Sequence, residues 1–181
     1  MPGVFAEDPL AGLIQWLPRK GEFRETNSTI EDGSFDHPVV ILSSKARNGM
    51  VEILILTSLK GVDFETKFPY PKAPARRHHL PIAPLPAHPD NRILLVLKDP
   101  TRELRKKSYV KTGTTHSVRL ASLKPYSNTD PKIYLSEHSY RTLVDYIHYS
   151  EPEDEGVLKE LWAIGEKAKS LWSSFLRAVG L

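Results

Sequence analysis

The sequence predicts a mainly β fold of the α+β class, a small and strongly bent barrel with helices at its ends. Two apolar runs, at residues 38–44 and 51–58, are joined by Arg-Asn-Gly-Met, which is typical of a tight hairpin turn. Further strands are predicted at 91–99 and on both sides of Gly113. Because these strands do not alternate with helices, a parallel α/β sheet is excluded.

The N-terminal extension, residues 1–19, carries a helical pattern. Asp8 can cap a short helix, Pro9 suits its first position, and Pro18 ends it. At helical spacing, one apolar face is formed by Leu10, Leu13, Ile14 and Leu17. We therefore expect a short amphipathic helix that packs on the barrel domain, residues 20–150.

Two more helices are predicted after the strands. Ser136 can cap a helix that follows the barrel. The last part of the chain, residues 151–181, begins with acidic residues and then carries a broad apolar face, which predicts a long amphipathic helix. That face must pack on the body or on another chain, and its candidate partner-binding residues are Trp162, Trp172 and Phe175.

Prolines concentrate in one segment, residues 69–89, which holds nearly half of the fifteen in the chain. Each proline fixes φ and lacks an N–H group, so helix and central strand are disfavoured there. We expect a long surface loop. The same segment contains a Pro-x-x-Pro pattern at 81–84, the form that SH3 and WW domains bind.

Composition indicates an ordinary globular protein, with 40% hydrophobic and 26% charged residues. No apolar run has the roughly 18–20 residues that a membrane span needs. The absence of cysteine excludes disulfides and cysteine-bound zinc, and it favours an intracellular, cytoplasmic location. A net charge of +3 is too small to indicate nucleic-acid binding by itself.

Charge is unevenly distributed, with a basic run at 102–111 that includes one aromatic residue. Cations mixed with a stacking ring are typical of proteins that bind single-stranded RNA, although such a run is also typical of a solvated surface. With the arginines of the Pro-rich segment and its neighbour, the candidate RNA-binding residues are Arg76, Arg77, Arg92, Arg105, Lys106, Lys107 and Tyr109.

A histidine precedes the strongest early strand, in the stretch Ser-Phe-Asp-His-Pro-Val-Val-Ile-Leu-Ser-Ser at 34–44. His37 can exchange a proton near neutral pH, and it could serve there as base or acid. Equally, its side chain could cap the strand start beside Asp36. Both interpretations fit the sequence.

The order of motifs resembles the PemK/MazF family. The resembling residues are Gly21-Glu22-Phe23, the run Pro38-Val39-Val40-Ile41-Leu42-Ser43, and Thr57-Ser58, followed by two short strands and a helix. This resemblance implies an SH3-like barrel, of the kind found in toxin–antitoxin endoribonucleases that cleave RNA without a metal, and it implies a homodimer.

The resemblance also implies site residues. His37, Thr57 and Ser58 occupy the family's catalytic slots, but His37 stands where the family has an arginine. Because arginine is permanently charged and binds phosphate in a bidentate manner, its loss should weaken cleavage. We therefore expect single-stranded RNA binding with residual metal-independent endoribonuclease activity, and no metal or cofactor.

Two other functions compete with RNA binding. One is a metal site at His78, His79 and His88, which lack the helical spacing typical of metal ligands. The other is a non-catalytic adaptor that binds a protein partner through the barrel, the Pro-rich segment and the C-terminal helix.

Overall fold

The computed structural model describes residues 9–23, 30–69, 73–127 and 132–152. The chain divides into two compact units, at 1–149 and 150–181. Every described strand and helix belongs to the first unit. The predicted helix at 151–181 lies, from residue 153 onward, outside the described residues.

Eight short strands account for most of the regular structure in the described ranges. They are β1 (Leu13–Leu17), β2 (His37–Ile41), β3 (Met50–Thr57), β4 (His79–Pro81), β5 (Tyr109–Lys111), β6 (His116–Arg119), β7 (Lys124–Pro125) and β8 (Ile133–Tyr134). The α-helices are α1 (Phe64–Lys67), α2 (Ala73–Arg77) and α3 (Glu137–Tyr146). Single 3-10 turns lie at Lys20–Glu22, Asp32–Ser34, Leu59–Gly61 and Leu120–Ser122. The predicted mainly β class is confirmed.

The strands form one antiparallel sheet in the order β4-β5-β3-β2-β1-β7. β6 also pairs with β3, and β8 also pairs with β1. The end strands β4 and β7 do not pair with each other, so the described strands form an open sheet and not the closed barrel that we expected. β7 has only two residues, both exposed, and Pro125 has no N–H group with which to extend the pairing.

Both faces of the central strands are buried. In β2, Val39 and Ile41 pack into one hydrophobic cluster, whereas Val40 packs into a second cluster on the opposite face. β3 divides in the same way, because alternate residues of a strand point to opposite faces. Near-continuous apolar runs are therefore the expected signature of these strands.

The predicted hairpin between the two apolar runs is confirmed. β2 and β3 pair in an antiparallel register that places Val40 opposite Leu54. Asn48 and Gly49 both have positive φ, 51° and 76°, and Arg47 and Met50 exchange two backbone hydrogen bonds around them. Asn-Gly is the pair that adopts this conformation at least cost, and so it fixes the register.

The predicted N-terminal helix is wrong, because this segment forms β1 in the middle of the sheet. Leu13 and Leu17 pack on one face, and Ile14 packs on the other. The spacing of Leu13, Ile14 and Leu17 would place them on one face of a helix. The same spacing also fits a strand whose two faces are both buried. Pairing with β2, β7 and β8 decides between the two.

The predicted surface loop at 69–89 is also wrong for its described residues. Residues 73–77 form α2, and the next residues form β4, in which Leu80 is fully buried. Pro81 is tolerated because β4 ends the sheet order, where a missing N–H group costs least. Its carbonyl oxygen accepts a hydrogen bond of 2.9 Å from the Leu95 N–H group.

The segment predicted as a strand at 91–99 makes only isolated bridges. Leu95 bridges Ile82, and Leu97 bridges Leu135. The predicted helix after the strands is confirmed as α3, and the Ser136 side chain accepts a hydrogen bond from the Ser139 N–H group.

Candidate nucleic-acid interface

A cleft of about 880 Å³ in volume opens where β2 begins and where β3 and β5 meet. We call it the main cleft. The turn after β3 forms one wall, and the segment that leads into β5 forms another. Its lining residues are Trp16, Asp36, His37, Pro38, Leu56, Ser58, Lys60, Gly61, Val62, Asp63, Leu85, Arg105, Lys106, Lys107, Ser108, Tyr109 and Tyr126.

Positive charge exceeds negative charge in this lining. The cations are Lys60, Arg105, Lys106 and Lys107, and all four are exposed. The carboxylates are Asp36 and Asp63. Asp36 is already engaged, because it accepts hydrogen bonds from the Trp16 indole and from Arg19. The three lysines form no ion pair with another described residue, so their charges face solvent.

The basic segment 105–107 is held at both of its ends. Leu104 is buried in the hydrophobic cluster before it, and Ser108 is buried after it. The Arg105 N–H group donates a hydrogen bond of 2.8 Å to the Tyr126 hydroxyl, and the Ser108 hydroxyl donates one of 2.7 Å to the Lys106 carbonyl. The backbone is therefore held at both ends while the three cationic side chains are exposed, with the Arg105 guanidinium 5.5 Å from the centroid of the Tyr126 ring.

Aromatic rings lie beside these cations. Trp16 and Tyr126 pack with their ring centroids 6.2 Å apart, and Tyr109 stacks on Phe64 at 5.4 Å. Burial raises the pKa of Tyr109, and the nearby Asp63 carboxylate raises it further. Its hydroxyl therefore keeps its proton at neutral pH and can donate a hydrogen bond to a ligand.

The turn after β3 has a left-handed backbone. Leu59, Lys60 and Gly61 have φ values of 50°, 57° and 77°. Glycine adopts this conformation freely, but leucine and lysine do not. Leu59 is buried against Phe64 and Tyr109, which holds the turn in place and directs Lys60 to the cleft. Strain of this kind clusters at functional sites.

His37 lies in the main cleft with a defined ring orientation. Its Nδ1 is 2.8 Å from the Phe35 carbonyl oxygen. A carbonyl oxygen can only accept, so Nδ1 carries the proton, and in the neutral ring Nε2 carries the lone pair. The contact of Nδ1 holds the ring at the start of β2, and the role of Nε2 as a base stays a prediction.

The two hydroxyl residues predicted beside His37 separate. Ser58 lines the main cleft, whereas Thr57 does not. The Thr57 side-chain oxygen accepts a hydrogen bond of 3.2 Å from the Leu59 N–H group, so it supports the left-handed turn. Thr57 therefore supports the turn, and its predicted place at the phosphate stays a prediction.

Arg76 is buried, and this position does not support its predicted role in RNA binding. Its side chain is only 3% exposed, and it donates hydrogen bonds to Asp90, to Glu65 and to the Phe68 carbonyl. Those hydrogen bonds lower the pKa values of Asp90 and Glu65 and keep both carboxylates ionised. This buried guanidinium ties α1, α2 and the loop at Asp90 together.

The remaining predicted residues lie in three places. Arg77 and Arg92 are exposed but line no part of the main cleft. Arg105, Lys106, Lys107 and Tyr109 do line it, next to His37 and Ser58. Trp162, Trp172 and Phe175 lie outside the described residues, so the partner-binding helix stays a prediction.

Three residues of the main cleft that bear on ligand binding were not predicted from the sequence. Trp16 and Tyr126 are far from the basic run in the sequence, and only the pairing of β1 with β2 and β7 brings them near it. Lys60 had a local signal, because the Lys-Gly pair directly after a strand indicates a turn.

In comparisons with known proteins, no family model, no curated protein and no solved structure matches this chain. The resemblance to the PemK/MazF family therefore stays a prediction. Within the described ranges, no group of three or more His, Asp or Glu residues is placed to hold a metal ion. None of the helices in those ranges has the length and apolar character that crossing a bilayer requires.

Proposed function

We propose that this protein binds single-stranded RNA in the main cleft. The observation that carries the proposal is the combination of four exposed cations with the partly exposed ring of Trp16 around one opening, which the buried rings of Tyr109 and Tyr126 also line. Proteins that bind single strands combine a basic groove for the backbone with aromatic surfaces for the bases.

Electrostatics favour a polyanion in this cleft. The lining contains four cations and two carboxylates, and one of these carboxylates, Asp36, already accepts hydrogen bonds from Trp16 and Arg19. Cations without an ion-pair partner release counterions when they bind phosphate, and this release supplies most of the affinity of nonspecific nucleic-acid binding. Lys60 on one wall and the basic segment 105–107 on the other can contact phosphates from two sides.

A single strand fits the site better than a duplex does. The cleft volume of about 880 Å³ suits a few unpaired nucleotides. Trp16 is only partly exposed at the cleft wall and Tyr109 is buried behind it, so a base must leave a helical stack to reach the Trp16 ring.

Metal-independent cleavage of the bound RNA is a second candidate function, favoured by the orientation of His37. The hydrogen bond from Nδ1 to Phe35 leaves Nε2 to take a proton from a ribose 2′-hydroxyl. The four cations of the cleft would stabilise the charge that builds on the attacked phosphate. Without the family's arginine, we expect this activity to be weak.

Fluorescence anisotropy with labelled single-stranded RNA in EDTA tests the binding proposal. We compare the wild type with the double variant Lys106→Gln and Lys107→Gln at several salt concentrations. Losing two phosphate contacts should make the negative slope of log K against log salt less steep by about 1.4. This corresponds to an affinity about 25-fold below that of the wild type at 0.1 M salt. Duplex RNA of the same length should bind more weakly than the single strand.

A charge-matched control distinguishes RNA contacts in the main cleft from attraction by the overall positive charge of the protein. Lys45 and Lys67 are exposed and do not line the main cleft. The double variant Lys45→Gln and Lys67→Gln should keep the wild-type affinity within about twofold, since neither lysine meets a phosphate. An equal loss in both double variants, or no binding by the wild type, would contradict the proposal.

A further inference from the structure

A second, smaller cleft carries the same combination of cations and an aromatic ring. It has a volume of about 410 Å³ and is lined by Leu97, Lys98, Asp99, Pro100, Arg102, Lys132, Ile133 and Tyr134. Three of these residues are cations and one is a carboxylate. We call it the second cleft.

Cations outnumber carboxylates in the lining of the second cleft. The hydroxyl and N–H groups of Thr101 donate hydrogen bonds to Asp99 and lower its pKa, so this carboxylate is ionised. Arg102 lies 4.0 Å from Asp99 and offsets its charge. Lys98 and Lys132 are exposed, and the Lys98 ammonium lies 5.8 Å from the centroid of the Tyr134 ring. A cation beside an aromatic face suits a phosphate next to a stacked base.

One loop joins the two clefts. Arg102 lines the second cleft, and Arg105 lines the main cleft. Only two residues separate them, so their Cα atoms are at most about 11 Å apart. Leu104 is buried between them, which anchors the loop and leaves its charged side chains on the outside. The basic run at 102–111 therefore supplies cations to both openings.

We propose that the second cleft binds the continuation of the RNA strand held in the main cleft. This inference rests on the proposed function. It assigns phosphate contacts to Lys98 and Lys132 and a base-stacking surface to Tyr134. The protein then has a bipartite site, in which a long strand engages both clefts and a short strand engages the main cleft alone.

Oligonucleotide length provides the test. Binding of single-stranded RNAs of about 4 and about 16 nucleotides, a range typical of one binding domain, is measured by anisotropy in EDTA. The variants are Lys98→Gln with Lys132→Gln for the second cleft, and Lys106→Gln with Lys107→Gln for the main cleft. Lys45→Gln with Lys67→Gln is the control. All six lysines are exposed, so we expect each variant to fold.

The second-cleft variant should lose about 25-fold in affinity for the long RNA at 0.1 M salt, with a salt slope lower by about 1.4. Its affinity for the short RNA should stay within about twofold of wild type. The main-cleft variant should lose affinity for both lengths. As an independent readout, ultraviolet cross-linking of the wild type should label Tyr134 with the long RNA and not with the short one.

Three results would overturn the inference. The second-cleft variant could bind the long RNA as the wild type does, which would show that this cleft is not used. It could instead lose affinity equally for both lengths, which would indicate a long-range field and not a second contact. If the wild type binds neither RNA, the proposed function itself fails, and this outcome is distinct from the first two.

Discussion

Lys60 has an unfavourable left-handed backbone conformation and a proposed role in RNA binding. Replacing it with glycine should therefore raise the stability of the fold and lower the affinity for RNA. Its φ of 57° and ψ of 27° are left-handed, in a turn where Leu59 and Gly61 also have positive φ. A left-handed conformation costs a residue with a Cβ atom about 1–2 kcal/mol. Glycine avoids this cost but adds about 0.5–1 kcal/mol of backbone entropy on folding.

The substitution Lys60→Gly should therefore stabilise the fold by about 0.5–1 kcal/mol, which raises Tm by about 1–4 °C for a chain of this size. At the same time the main cleft loses one cation. The salt slope of RNA binding should fall by about 0.7, which is about a fivefold loss of affinity at 0.1 M salt. Thermal unfolding by circular dichroism and RNA anisotropy measure the two effects on the same samples.

Lys67→Gly is the matched control, because it removes the same side chain from the helical backbone of α1, outside the main cleft. Glycine in a helix costs up to about 1 kcal/mol, so this variant should be less stable than wild type and should keep its RNA affinity. If Lys60→Gly lowers Tm, the strain at the turn is refuted. If it leaves the affinity unchanged, Lys60 does not contact RNA.

Two further predictions concern Arg76 and His37. Arg76→Met should lower Tm at neutral pH, and the difference from wild type should narrow as the pH falls below about 4. The reason is that hydrogen bonds from Arg76 lower the pKa values of Asp90 and Glu65 in the folded protein. Their contribution to stability is therefore present above the pKa values of the unfolded chain, near 3.9 and 4.3, and is lost as the pH falls through the folded values. A Tm difference that does not change between pH 7 and about pH 3 would contradict this. His37→Gln should abolish cleavage of single-stranded RNA in EDTA while the Kd stays within about twofold of wild type, and cleavage at the wild-type rate by the variant would exclude His37 as the base.

Local turn chemistry made part of the fold predictable. Asn48 and Gly49 both need positive φ in the hairpin turn, and the two strands around them are apolar enough to be recognised alone. Ser136 likewise signals the start of α3 through its side-chain oxygen. In both cases the decisive interaction joins residues that are close in the sequence.

Two of the errors in the fold have a common cause. Leu13, Ile14 and Leu17 satisfy a helix face, but the sheet needs them on two opposite faces, and only the distant partners β2, β7 and β8 reveal this. Pro81 likewise argues against a strand until the position of β4 at the end of the sheet is known. Long-range pairing overrides local preference at both places.

In the candidate site, too, local features were predictable from the sequence and long-range contacts were not. The basic segment 105–107 was visible in the sequence because its cations are adjacent. Trp16 and Tyr126 were not, because β1 and β7 bring them to the cleft from opposite ends of the domain. Arg76 was predicted to bind RNA because nothing in the neighbouring sequence shows that it pairs with Glu65 and Asp90 in the folded chain.

The central claim is that single-stranded RNA occupies the main cleft, and cross-link mapping tests it most directly. Wild-type protein is irradiated with single-stranded RNA in EDTA, and the modified peptides are identified by mass spectrometry. The account predicts modification at Trp16 and Tyr109, because both rings line the cleft. RNA attached only to peptides outside the main cleft would contradict it.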